Sequence, residues 1–157
     1  MSRYAVTLQH DIELPDSVTS TWLRNVARQA LRHQDQPTGS QVTIVLTDDA
    51  TMGKLNADYR HVDAPTDVLA FASSEGEPFV LPEGARRHLG DVVISLETAE
   101  RQASERHHPV EHELALLIVH GCLHLLGYDH ATSKEKDRMW CVQRNIMRQI
   151  LGDAYAP

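Results

Sequence analysis

Residues 114–130, LALLIVHGCLHLLGYDH, decide how the chain is read. Leu114, Leu116, Leu117, Ile118, Val119, Leu123, Leu125 and Leu126 leave almost no polar face, so the pattern predicts a buried helix. Two polar rings interrupt it. His120 and His124 stand four residues apart and therefore project from one helix face, close enough to grip one ion. Two desolvated imidazoles without partners would be costly, and a shared metal satisfies both. Gly127 supplies the left-handed backbone that stops the helix and turns the chain back, which brings His130 toward the same point as a third ligand. Three imidazoles leave a fourth position for water, the arrangement of a catalytic rather than a structural zinc. Cys122 follows His120 by two residues, roughly 200° around the axis, and is excluded as a ligand.

Upstream, residues 4–9 and 41–48 are rich in β-branched side chains and read as strands. In the second, Val42, Ile44 and Leu46 share one face and Thr43, Val45 and Thr47 the other. Between them Asp16 or Ser17 is placed to cap a helix with apolar positions Trp22, Leu23, Val26, Ala27, Ala30 and Leu31. A shorter helix follows Asp48 and Asp49. Val68–Ala72 and Asp91–Leu96 read as strands flanking a Gly- and Pro-rich loop over 73–90. The remainder is helical: a segment to about Arg106, a helix with Pro109 in its first turn, and a last helix opened by a Thr132–Glu135 capping box, with Met139, Val142, Ile146 and Ile150 facing inward. This order describes an α+β chain, a single domain over 1–157 with a small mixed β-sheet packed by several helices and a zincin-like metal-site helix. Strand directions do not follow from pattern.

A hydrophobic fraction of 41% and a charged fraction of 24% belong to a self-sufficient globular core and exclude a disordered chain. The start, MSRYAVTLQH, lacks a secretory apolar region, and the longest aliphatic run is too short to span a bilayer, so a cytoplasmic location with no membrane partner is expected. Cys122 and Cys141 lack CxxC spacing and read as two free buried thiols. The net charge of −7 means that any nucleic acid must be met by a local basic surface, for which Arg86, Arg87, His88, Arg101, Arg106, His107 and His108 are candidates.

Residues 120–130 match the metzincin pattern HExxHxxGxxH except where Gly121 replaces the glutamate that serves as general base. Without that carboxylate a peptidase mechanism fails, although metal binding survives. A second stretch, LNADYRHVDAPTDVLAF at 55–71, reads by itself as a helix end, a turn and a strand start, with Arg60 available to pair with Asp63 or Asp67. Together with LGDVVIS at 89–95 and HGCLHLLGYDH, it closely resembles the YbeY family of zinc-dependent endoribonucleases of ribosomal RNA maturation. The resemblance rests on Asn56, Tyr59, Arg60, Asp63, Pro65 and Thr66 through Leu69, and on Phe71, along with the three histidines. Ala70 and Ala72 depart from a serine and proline common there.

The resemblance implies one Zn2+ per chain on His120, His124 and His130, with Arg60 and His120 catalytic and Arg60 touching substrate. It also implies an endoribonuclease acting on single-stranded regions in maturation of the 16S ribosomal RNA 3′ end and in ribosome quality control. The expected partners are ribosomal RNA and ribosomes or ribosomal proteins, not DNA. Zinc held by neutral imidazoles brings the pKa of water toward ~7, and the Arg60 fork suits phosphate oxygens. Asp129, beside His130, is the tempting general-acid candidate, but a carboxylate there equally suits orienting a ligand, capping the turn or facing solvent, and these readings outweigh catalysis. Two rival readings are a non-catalytic, zinc-stabilised ribosome-assembly factor and a zinc peptidase, the second disfavoured by Gly121.

Overall fold

The computed structural model describes residues 3–61, 66–73 and 87–155. The elements run β1 (Ala5–His10), α1 (Ser20–His33), β2 (Ser40–Thr47), α2 (Asp49–Arg60), β3 (Val68–Ala72), β4 (Arg87–Ser95), α3 (Leu96–Glu105), α4 (Val110–Leu125) and α5 (Ser133–Leu151), then a 3-10 turn at Gly152–Ala154. Strand order in the four-stranded sheet is β1-β2-β4-β3. β1 pairs parallel with β2 and β2 parallel with β4, whereas the edge strand β3 runs antiparallel to β4. The expected mixed sheet is present, with directions the pattern left open.

Alternation along the central strands sorts the core. Val42, Ile44, Leu46, Val92 and Ile94 face the main layer, which includes Leu23, Ala27 and Leu31 of α1 and Leu114, Ile118 and Leu123 of α4. Val93 and Leu69 face the other way and meet Met52 of α2 in a smaller cluster. A central strand covered on both faces is apolar in consecutive positions, which is why Val92, Val93 and Ile94 of β4 are all buried.

At Gly121 α4 packs tightly against β4. A Cβ built there would fall 2.4 Å from Val92 Cγ1 and 3.0 Å from Cγ2. The glycine therefore has a packing reason, and the glutamate of a zinc peptidase has no room at this position. Gly121→Ala is expected to destabilise the fold by about 1–2 kcal/mol, because overpacking outweighs the gain in helix propensity. Urea unfolding would measure it, and Val92→Ala in the same chain should return part of the loss.

Several local readings change. The cap of α1 is Thr19, whose hydroxyl accepts from the Trp22 amide, rather than Asp16 or Ser17. Pro109 is the N-cap of α4 instead of a first-turn residue. β4 begins at Arg87, inside the expected loop, while residues 74–86 of that loop, Arg86 included, lie outside the described residues. Val142 and Ile150 are half-buried, and the buried line of α5 is Met139, Gln143, Ile146 and Met147. Both cysteines are free, but Cys141 is exposed; only Cys122 is buried, which pushes its thiol up to about 12. Among the described residues no helix is long and apolar enough to cross a membrane.

Asp49 ties α2 to the start of α3. Its Oδ1 accepts from Ser95 at 2.5 Å and Thr98 at 2.6 Å, and its Oδ2 from Arg101 at 2.8 Å. Partial burial opposes its charge, but these three donors outweigh it and hold the carboxyl at about 2. Because the folded pKa lies below the unfolded value of 3.8, this stabilisation is complete above about pH 5 and is lost as pH falls through 2. With the carboxylate 25% exposed, the loss is about 1–2 kcal/mol. Asp49→Asn should flatten that part of the acid-unfolding curve followed by circular dichroism.

Candidate metal centre

The three histidines predicted as ligands meet. One ring nitrogen from each of His120, His124 and His130 lies within 4.8 Å of the others. The Nε2 atoms of His120 and His124 are 3.2 Å apart, near the ~3.4 Å expected for two nitrogens on one tetrahedral zinc. α4 supplies the first pair. Leu126 closes its last turn, and Gly127, at φ +98°, swings the chain through Tyr128 and Asp129 to His130. Asp129 Oδ1 accepts the His130 amide at 2.7 Å, so Asp129 caps the turn.

Burial favours the neutral, ligand form of two of the rings. Burial lowers the His120 pKa, with His130 adding to the effect and the Gln143 hydrogen bond opposing it. Burial, then the neighbouring His120 and His130, take His124 down to about 4. A neutral imidazole offers the lone pair that a cation needs. The donor set of three nitrogens with no carboxylate or thiolate fits zinc and other first-row ions, and is a poor match for magnesium or calcium.

The cluster opens into a cleft of about 660 Å³ whose wall includes Arg60, Thr66, Asp67, Gly121 and Asp129. Arg60 is the last residue of α2, exposed, and followed by His61 in a left-handed conformation that ends the helix. Its charge is felt at His124. Among the described residues it forms no ion pair, so the pairing with Asp67 is not made; Asp63 lies outside them. Asp67 instead accepts from the Val68 amide and the Thr66 hydroxyl, a turn role.

The sequence profile of the family described as Endoribonuclease YbeY matches residues 5–151. The chain belongs to that family. Among proteins named Endoribonuclease YbeY, it is 38% identical over 161 residues to one from Heliobacterium modesticaldum, covering 94% of this chain and 95% of the relative. One from Pelotomaculum thermopropionicum is 43% identical, with 92% and 91% covered, and one from Roseiflexus castenholzii is 49% identical, with 72% and 71% covered. A Thermotoga maritima protein solved in solution shares the fold with a TM-score of 0.60 at 25% identity, covering 94% of this chain and 90% of that one.

Within this YbeY frame, the residue that sequence reasoning missed is Gln143. Its Oε1 accepts from His120 Nδ1 at 2.8 Å, which leaves the Nε2 lone pair of His120 toward the cluster. Only a polar residue interrupting the buried line of α5 could have signalled it. Gln143→Leu is expected to weaken metal binding by about 10–100-fold, while Gln143→Glu, which keeps the acceptor, restores most of it. Competition with a chromophoric chelator would measure both.

The proposed basic surface is largely committed elsewhere. Arg101 is held by Asp49, and Arg106 and His108 each bond an oxygen of the fully buried Glu113 at 2.7 Å. Glu113 is thus the anchor of the α3–α4 connection as well as a first-turn acid of α4. His88 bonds Thr43 and Ser73.

Proposed function

We propose that this YbeY-family chain is a zinc-dependent endoribonuclease that cuts single-stranded segments of ribosomal RNA precursors, works in the cytoplasm, and meets its substrate on or near ribosomes. The observation that carries the reading is the convergence of His120, His124 and His130 beside Arg60 in one open cleft, in a chain whose relatives are named endoribonucleases.

Zinc bound by the three histidines would supply Lewis acidity toward a phosphoryl oxygen and bring water's pKa toward about 7. The protein's own residues do the rest. Gln143 holds His120 in the tautomer that leaves Nε2 free. Arg60, at the cleft wall, presents a planar fork to the non-bridging phosphate oxygens and stabilises the charge that grows there in the transition state. Gly121 removes the carboxylate that peptide hydrolysis would require, which separates this site from a peptidase.

The test combines elemental analysis of the purified protein with cleavage of a ribosomal RNA precursor by wild type, His124→Ala and Arg60→Ala. Stoichiometric zinc with cleavage lost in both variants supports the reading. Bound zinc with equal cleavage in all three assigns the activity to a contaminating nuclease and leaves a zinc-stabilised assembly factor.

A further inference from the structure

Of the three histidines, His130 has the least to hold it. His120 and His124 are fixed by the helix that carries them, and His120 also by its bond to Gln143. His130 is exposed, lies between the Gly127 turn and the Thr132 cap of α5, and is tied to Asp129 only through its backbone amide. Among the described residues no hydrogen bond reaches its ring. A ligand ring free to turn must be ordered each time an ion binds, which weakens binding unless a neighbour has already fixed it.

Trp140 is that neighbour. Its indole stands at 85° to the His130 ring with centroids 5.7 Å apart, and at 90° to the His120 ring at 5.5 Å. Those two imidazoles are 5.8 Å apart and inclined by 30°, so one flat ring set across both fixes the angle between them. Perpendicular contact at this separation is a favoured arrangement of aromatic pairs. Helical side chains slant toward the N-terminus of their helix, which carries the indole from position 140 back toward the start of α5, where the chain arrives from His130. The indole is held in turn: it packs half-buried against the main core, and the Lys136 ammonium, one turn earlier, lies 5.6 Å from its centre. Gln143 follows Trp140 on the same face of α5, so one helix face orients His120 by a hydrogen bond and His130 by a ring contact.

Resting on the reading of the three histidines as a metal centre, we propose that Trp140 is a positioning residue, whose indole, set against His120 and His130, keeps the loop-borne ring in its binding orientation and slows release of the ion. The role is mechanical and acts through the third ligand. A preordered ring loses little further freedom on binding, and a braced one swings away less often once bound.

The probes are Zn2+ and Co2+ alone, so the outcome does not depend on whether the chain cuts RNA. Zinc release is timed after mixing loaded protein with excess chromophoric chelator, and bound Co2+ is read from its visible d–d absorption, which reports coordination geometry. Trp140→Leu, which keeps an apolar side chain but no flat ring, is expected to release zinc about tenfold faster and to alter the Co2+ band. Trp140→Phe, which keeps a ring, should bring release to within about twofold of wild type and restore the band. Val142→Ala removes an apolar contact from the same helix and lines none of the clefts, so its melting temperature should fall while both readouts stay as in wild type. In a Trp22→Phe background the indole at 140 is the sole one in the chain, and its emission should change as Zn2+ binds. Wild-type release and an unaltered band in Trp140→Leu would overturn the brace and leave the metal centre standing. Release hastened equally by Val142→Ala would overturn it as well, because lost stability would then be the cause. Failure of the wild type to take up either ion would overturn the metal-centre reading and the brace with it.

Discussion

Replacing His124 with alanine is expected to abolish stoichiometric metal and to lower RNA cleavage on the order of a thousandfold or more. His124 sits 3.2 Å from the donor atom of His120 and shares the cluster with His130, so its loss leaves two nitrogens where three are needed. Its ring is half-buried in the cleft wall and outside the main hydrophobic cluster. The metal-free variant should therefore keep its far-ultraviolet circular dichroism and unfold cooperatively. Elemental analysis and a gel-based cleavage assay on the same preparation check the two halves. Retention of both metal and activity would place the reactive centre elsewhere.

Arg60→Ala should separate chemistry from metal binding. Arg60 is exposed, ends α2 and makes no ion pair among the described residues, so its removal should leave the melting temperature and metal content unchanged. Cleavage should fall by about 10²–10³, the usual cost of deleting one preorganised donor to transition-state charge. Arg60→Lys should recover little, because an ammonium group cannot reproduce the planar two-point fork. Unchanged cleavage by Arg60→Ala would remove it from the reaction.

The two experiments draw on different levels of the molecule. The three-histidine cluster was legible in the chain itself, because helical geometry alone puts positions 120 and 124 on one face and Gly127 supplies the reversal that returns position 130. The elements were legible for the same kind of reason: periods of two and 3.6 are local properties, and capping signals such as Thr132 before Glu135 act within one turn. Gly121 was legible only as a missing carboxylate.

Its physical cause, the approach of Val92 to α4, is a tertiary fact, as is the partnership of Gln143 with His120 across 23 residues. The burial of Glu113 belongs here too: read along the helix it favours the positive end, and only the folding back of Arg106 and His108 shows it as a paired core charge. Strand order and the antiparallel edge strand likewise await the fold. The sequence by itself therefore determined the helix, its ligand face and the family, because these depend on contacts within a few residues or on motif identity. The tertiary structure alone decided what holds the ligands in place, what leaves Arg60 free and what flanks the site, because each depends on side chains brought together from distant elements.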